Sequence, residues 1–175
     1  MRTDMISYRE ATIDDAASIA QTEVESKRAS IPEVVSEIEM DYDWSFNRWT
    51  GYINKTTSPG SALDPRIIYL ACDKETVVGY AACHHTTKQG IEAELQSIYV
   101  LKEYQGQGIG SALLKRIVEW LLADGKKSLL AGFYDKNSYV AFYKKLRENL
   151  ANGPCIWYDL QELNETLKHI LTDDR

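Results

Sequence analysis

Eight consecutive residues, Tyr104-Gln105-Gly106-Gln107-Gly108-Ile109-Gly110-Ser111, set three alternating glycines between an apolar strand pattern and an amphipathic helix pattern. Chemistry of that kind is phosphate binding. Upstream, Leu95-Gln96-Ser97-Ile98-Tyr99-Val100 reads as a strand; downstream, Ala112, Leu113, Ile117, Trp120 and Leu121 recur at helical spacing. The glycines therefore fall at a helix N-terminus. There the first turn leaves backbone N–H groups without partners, the helix dipole adds partial positive charge, and the missing Cβ atoms let an anion come close. Three phosphate-binding patterns can be compared with the run. A P-loop requires Gly-Lys-Ser/Thr, whereas Ile109-Gly110-Ser111 has no lysine. A dinucleotide fingerprint requires G-x-G-x-x-G and an acidic residue closing the next strand; here Gly108-Ile109-Gly110 leads to Leu113, and the next strand runs into Gly132-Phe133-Tyr134. The third, Gln/Arg-x-x-Gly-x-Gly/Ala, is met by Gln105, Gly108 and Gly110.

The elements that must position this loop can be read along the chain. Ile6 to Arg9 forms a strand pattern, and Thr12-Ile13-Asp14-Asp15 is a capping signal before a helix carrying Ile13, Ala16, Ala17, Ala20 and Val24. Pro32 is expected to start a second helix from Glu33 to about Met40, and Trp44 to Ile53 gives further helical turns before a break at Thr56 to Ser61. That segment is expected to act as a lid. Ile67 to Cys72 and Val77 to His84 make a hairpin, and Lys88-Gln89-Gly90 turns the chain into the strand that holds Glu94. The loop helix should end at Asp124-Gly125, followed by a short buried strand from Ser128 to Phe133. Asp135 to Asn137 can cap a helix carrying Tyr143, Cys155 to Leu160 reads as a last strand, and Leu160, Leu163, Leu167, Ile170 and Leu171 outline a terminal amphipathic helix.

Two segments in this order resemble the GNAT superfamily of acyl-CoA-dependent N-acyltransferases. Ala93 to Val100 is similar to the family's fourth strand, Gln105 to Ser111 to its pyrophosphate loop, and Asn137-Ser138-Tyr139-Val140-Ala141-Phe142-Tyr143-Lys144-Lys145-Leu146 to the helix of its Asn-x-x-Ala-x-x-Phe-Tyr-x-x-x-Gly-Phe signature. The resemblance implies an α/β fold of the α+β type: one mixed, mostly antiparallel sheet, flanked by helices and splayed between two parallel strands. It covers about Ile6 to Leu160, and the chain is expected to form one domain over residues 1–175, with a core of about 6–160 and a short helical tail at 161–175. Where the family continues Gly-Phe, this chain has Arg147-Glu148-Asn149 and then Asn152-Gly153-Pro154, which leaves the sixth strand and its side of the acceptor pocket open.

The resemblance further implies acetyl-CoA as the acyl-donor cosubstrate and a primary amine as acceptor, joined by direct attack in a ternary complex. Main-chain groups near Ile98, Tyr99 and Val100 would bond the pantetheine arm; Gln105, Gly106, Gln107, Gly108, Ile109, Gly110 and Ser111 would hold the diphosphate; Asn137 would bond the pantetheine amides or cap its helix. Tyr143 takes the place of the family's general acid, protonating the departing thiolate, although a tyrosine beside Phe142 can equally be core. An amine of pKa near 10 is neutral in only about one molecule in 10³ at pH 7, so a proton must leave before attack. Glu94 stands where histone-acetylating members keep a general-base glutamate, and burial beside the cofactor would raise its pKa. Its alternatives are a solvated carboxylate or a fixed charge that attracts a cation, and Glu92, two residues away, could substitute. Another class of reading is a catalytically silent CoA-binding sensor or scaffold.

Composition narrows the partners. Twenty basic against 26 acidic residues give a formal charge of -6, which argues against nucleic acid and is compatible with a cationic amine. No run of about 18 apolar residues is present and Met1 to Glu10 lacks the apolar centre of a signal peptide, so no membrane partner and a cytoplasmic location are expected. The acceptor is left open between small-molecule and peptide amines, and self-association into a homodimer is allowed for. Cys72, Cys83 and Cys155 have no metal-like spacing and read as free thiols. Adjacent His84 and His85 point to opposite faces of a strand, so no metal is assigned. Tyr42, Trp44, Phe46, Trp49 and Tyr52, near Glu33, Glu37, Glu39, Asp41 and Asp43, either pack a helix on the sheet or line a site for a cationic group.

Overall fold

A computed structural model describes residues 6–56, 61–132, 138–146 and 154–173. Six strands, β1 (Ile6–Glu10), β2 (Leu63–Asp73), β3 (Thr76–His85), β4 (Ala93–Val100), β5 (Leu129–Ala131) and β6 (Cys155–Trp157), lie side by side in chain order in one sheet. Neighbours are antiparallel except β4 and β5, which are parallel. Among the described residues, five α-helices flank it: α1 (Ala16–Ser30), α2 (Tyr42–Asn54), α3 (Ile109–Ala123), α4 (Ser138–Lys144) and α5 (Leu160–Asp173). This is the mixed, mostly antiparallel α/β sheet that the sequence led us to expect. No helix among the described residues is long and apolar enough to cross a membrane.

Strand alternation separates two cores. Ile68, Leu70 and Cys72 of β2 pack with Tyr80 and Ala82 of β3 against Ile19 and Ala20 of α1 and Trp49 and Tyr52 of α2. Ile67 and Ala71 turn the other way, with Val78, Ala81 and Cys83, toward α3 and α5. In α3 the side chains of Leu113, Leu114, Ile117, Val118 and Leu121 are wholly buried. At roughly 1.5–3 kcal/mol for each such side chain, that face fixes the helix whose first turn carries the glycine loop. The C-terminal helix α5 joins the same core through Leu160, Leu163 and Leu167.

Two irregularities in β4 shape the site. Ala82 faces Ser97 across the β3–β4 ladder while the next residue, Cys83, faces Leu95, so Gln96 is an extra residue, a β-bulge. The bulge reverses the alternation. Ala93 and Leu95 point to the α3 core, Ile98 and Val100 point there again, and Tyr99 joins the α1–α2 core. The second irregularity is the early end of parallel pairing: Glu94 pairs with Leu130 and Leu95 with Ala131, and Gln96 to Val100 have no β5 partner among the described residues. There the sheet splays.

The helix expected from Glu33 to Met40 is absent. Residues 32–34 form turns, and the one helical turn within the expected span is a 3-10 turn at Ile38–Met40. Ile31 ends α1 at φ -142°, ψ 37°. A residue before proline is driven out of the α region, so Pro32 stops α1 instead of starting its successor. The capping signal holds, with the Thr12 N–H donating to Asp15 Oδ2 at 2.8 Å, but Ile13 sits in a 3-10 turn ahead of α1 and is 44% exposed. The chain change at Arg147 to Asn149 and at Asn152-Gly153 lies outside the described residues.

Candidate active site

The glycine loop forms one wall of a groove of about 290 Å³ whose lining includes Ile98, Val100, Gly106, Gly108, Phe142 and Ile170. Gly106 and Gly108 adopt φ +74° and +80°, the left-handed region that side chains avoid, and this lets the chain double back before α3 begins. Gly110 is small for another reason: a Cβ there would sit 3.2 Å from Cε2 of Phe142, so its absence lets α4 approach α3. Ile109, Gly110 and Ser111 occupy the first turn, where N–H groups lack helical acceptors. The two glutamines serve the loop itself. Gln105 Nε2 donates to the Val100 carbonyl at 2.9 Å and Gln107 Nε2 to the Glu103 carbonyl at 3.2 Å. Both side chains brace the turn, so the donors this loop offers an anion are main-chain N–H groups and the Ser111 hydroxyl, with Lys145 of the segment after α4 also on the groove's lining.

On the other face of β4 lies a cavity of about 310 Å³, bounded by Glu23, Lys27, Arg48, Ser97, Ile98 and Tyr143, with Glu39, Trp44 and Tyr99 nearby on its wall. Ile98 borders both spaces, as it does where the strands part. Tyr143 is 3% exposed, and its ring meets Phe142 edge-on at 5.2 Å and Trp157 at 6.3 Å. The two readings of this tyrosine are therefore compatible: it is packed, and it faces the cavity. Phe142 faces the groove, so consecutive residues of α4 border the two spaces.

Glu23 is the electrostatic centre of the cavity. Its Oε1 accepts from Lys27 Nζ at 3.0 Å and Arg48 Nη2 at 2.5 Å; its Oε2 accepts from Ser45 Oγ at 2.5 Å and Trp49 Nε1 at 2.8 Å. Burial opposes its charge, yet the Arg48 and Lys27 cations and the Ser45 and Trp49 hydrogen bonds outweigh burial and hold the carboxyl below its usual value. Lone Glu23, Lys27 and Arg48 carried no motif in the sequence. The available signal was the helical register: Glu23 and Lys27 are i, i+4 on α1, and Ser45, Arg48 and Trp49 share one face of α2.

Glu94 is held by three side chains. Its Oε2 meets His84 Nε2 at 3.3 Å and Ser61 Oγ at 3.2 Å, and its Oε1 accepts from Lys88 Nζ at 3.1 Å. Tyr52 lies 2.9 Å from the other ring nitrogen, Nδ1 of His84, and burial pushes the Tyr52 phenol up, so it stays protonated. A neutral His84 satisfies both contacts by accepting from Tyr52 and donating to Glu94. The expected upward shift of Glu94 is not found. The His84 hydrogen bond, then the Lys88 hydrogen bond and charge, overcome desolvation and bring its carboxyl down to about 2. The cavity wall is made by Leu95 to Tyr99, one residue further along the strand. Glu92 is off the cavity wall, and its Oε2 accepts from the Lys127 N–H at 2.8 Å, just ahead of β5. His84 and His85 do point to opposite faces, His85 Nε2 reaching Asp124 Oδ2 at 3.1 Å. Of the aromatics, Trp49 and Tyr52 pack the core, Trp44 lines the cavity, and Tyr42 and Phe46 stack in the open at 6.1 Å. Asn137 lies outside the described residues.

The sequence and the fold of this chain match those of known proteins. A family model described as the acetyltransferase (GNAT) family matches residues 24–147. The uncharacterised N-acetyltransferase YuaI of Bacillus subtilis is 32% identical over 143 residues, 80% of this chain and 78% of that one. A thialysine N-epsilon-acetyltransferase of Bos taurus is 40% identical over 73 residues, 40% of this chain and 43% of that one. Among solved structures, the PaiA N-acetyltransferase of Thermoplasma acidophilum in complex with coenzyme A superposes with a TM-score of 0.64 at 20% identity, covering 86% of this chain and 96% of that one. With a family match over more than half its length and a relative aligned over four-fifths of it, the chain belongs to the acetyltransferase (GNAT) family and is an acetyl-CoA-dependent N-acetyltransferase.

Proposed function

We propose that the protein transfers the acetyl group of acetyl-CoA directly to a primary amine, with the cofactor in the groove beside the glycine loop and the acceptor in the cavity beside Glu23. The observation that carries this reading is the meeting of the two spaces at Ile98, where β4 loses its β5 partner. In it, the diphosphate sits on the N–H groups of the first turn of α3, from Gly108 to Ser111, and the pantetheine runs along the unpaired stretch of β4 from Ile98 to Val100. Asn137 would add a side-chain donor to that arm. A fixed donor aimed at the thioester oxygen contributes about 3 kcal/mol as the tetrahedral intermediate forms. Holding the two reactants together contributes up to about 7–11 kcal/mol.

The bond-making step is attack of the amine nitrogen on the thioester carbonyl carbon; collapse breaks the carbon–sulfur bond and releases coenzyme A. Tyr143 donates its phenolic proton toward the departing sulfur, and the proton that the nitrogen of the tetrahedral intermediate gives up returns through solvent to the phenolate, so the products are the amide and free thiol. Glu94, at about 2, is too weak a base to deprotonate an ammonium ion near neutral pH. We assign it instead to tying the strand edge to His84, Lys88 and Ser61, while the acceptor reacts as the neutral amine after losing its proton to water.

The test is acetyl-CoA-dependent release of free thiol across a panel of primary amines, with calorimetry of acetyl-CoA alone. Amine-dependent thiol release is expected. Cofactor binding without any amine-dependent rate would leave a CoA-binding sensor and overturn the transfer.

A further inference from the structure

The geometry points to an acceptor that carries a carboxylate as well as an amine, held by the Arg48 guanidinium in the cavity lined by Glu23, Lys27 and Tyr143. The inference rests on the transfer reading above and names the acceptor's chemical class.

Three observations carry it. First, Glu23 is 1% exposed and its two oxygens already accept from four donors, so it has nothing left with which to draw in an ammonium group. Second, that buried carboxylate faces two cations, and Glu23, Lys27 and Arg48 together hold one surplus positive charge. The remaining carboxylate on the wall, Glu39, turns its Oε2 to the N–H and hydroxyl of Ser36 at 3.1 and 2.8 Å. Third, the surplus charge is displayed by Arg48. Lys27 is 4% exposed and spends its ammonium on Glu23 and the Glu39 carbonyl, whereas Arg48 is 30% exposed. Only its Nη2 has a hydrogen-bond partner among the described residues, and its plane is fixed over the rings of Trp49 and Trp44 at 4.8 and 5.2 Å.

A guanidinium locked in one plane with spare N–H groups matches the two oxygens of a carboxylate, which it can bind through two parallel hydrogen bonds. Tyr143 shares the cavity, so a carboxylate on Arg48 would leave the other end of a short amino acid facing the thioester. A polyamine would bring a second positive charge against Arg48 and Lys27 instead, in a partly desolvated space where like charges are costly.

The experiment compares kcat/KM for ω-amino acids from β-alanine to 6-aminohexanoate and for L-lysine, each beside its carboxamide, with spermidine as the polycation. Calorimetric titration of the same pairs onto the CoA-loaded protein accompanies it. The expected result is a carboxylate-to-amide ratio of about ten or more for the best pair, falling to about one in Arg48→Gln and to an intermediate value in Arg48→Lys. Because the ratio is taken within each variant, partial misfolding of the Gln variant does not alter it. A ratio near one in the unaltered protein, a ratio that survives Arg48→Gln, or spermidine as the best acceptor would overturn the inference. A binding ratio of ten without turnover would support the carboxylate site and sink the transfer reading; absent or equal binding of both members of every pair would sink the carboxylate site.

Discussion

The groove beside the glycine loop and the cavity beside Glu23, the seats proposed above for cofactor and acceptor, share Ile98 yet are built from opposite materials. One wall of the groove comes from a single run of chain, Tyr104 to Ser111, which offers main-chain N–H groups and the Ser111 hydroxyl, its glutamine side chains spent on bracing the turn. The cavity takes its charged side chains from α1, α2 and the turn between them, closes its wall with uncharged side chains of β4 and α4, and is centred on a buried carboxylate with four donors. A diphosphate is the same in every turnover, so donors fixed by backbone geometry suffice for it. An acceptor has an individual shape and charge, which only side chains can match. The cavity's polar groups are also bound into the folding of α1 against α2, whereas the loop hangs from a helix that the core has already fixed. Changes in the cavity should therefore cost stability or turnover, and changes in the loop should cost cofactor affinity.

The largest effect is expected from Glu23→Gln. It leaves Lys27 and Arg48 facing one another with no counter-charge, and uncompensated buried charges of this kind cost about 3–5 kcal/mol. Urea unfolding reads the loss directly. A change under about 1 kcal/mol would mean that the cluster is not what joins α1 to α2, and the contrast drawn above would fail on its cavity side.

Next comes Tyr143→Phe, which keeps the ring against Phe142 and Trp157 and removes only the hydroxyl. A general acid contributes about 10²–10⁴ in rate, so kcat should fall at least about 10²-fold while the affinity for acetyl-CoA changes less than about twofold. A loss of affinity with kcat intact would make Tyr143 part of the cofactor's seat.

Gly108→Val tests the groove. The substitution forces a β-branched residue to φ +80° and sets its Cβ 3.5 Å from Cδ2 of Leu171. A left-handed side chain costs about 1–2 kcal/mol, so the Kd for acetyl-CoA should rise about tenfold. Unchanged affinity would show that the diphosphate does not sit on this turn.

These two regions were also unequally legible. Main-chain binding leaves a local signature because the glycines that allow it must be adjacent, and Gly106, Gly108 and Gly110 announced both the loop and the helix after it. Strand alternation in β2 and β3 and the helical spacing of α3 were equally local. The cavity left no such trace: Glu23, Lys27 and Arg48 come together only once α1 and α2 pack on the same face of the sheet. The bulge at Gln96 hid in the same way, since an extra residue in one strand shows only against the register of its partner. His84 was visible as a residue but not as a ligand of Glu94, because its partner lies across the ladder on β4. The helix expected at Glu33 failed for a local reason, the reach of Pro32 back onto Ile31.

The smallest and sharpest test is Glu94→Gln, which separates a base from a strut. A carboxylate held by His84 and Lys88 down to about 2, against an ordinary value of 4.5, is depressed in the folded state. Its contribution to stability is then complete above the ordinary value and is lost as pH falls through about 2. The gap in urea midpoint between the unaltered protein and Glu94→Gln should accordingly be constant from neutral pH down to about 4.5 and close as pH approaches 2. Over the neutral range Glu94 does not change its protonation, so the pH at which kcat/KM rises should follow the acceptor amine and stay in place in the variant. A displaced limb would restore Glu94 as the group that takes the amine's proton, and the chemistry would then begin one residue earlier on β4 than the cavity wall does.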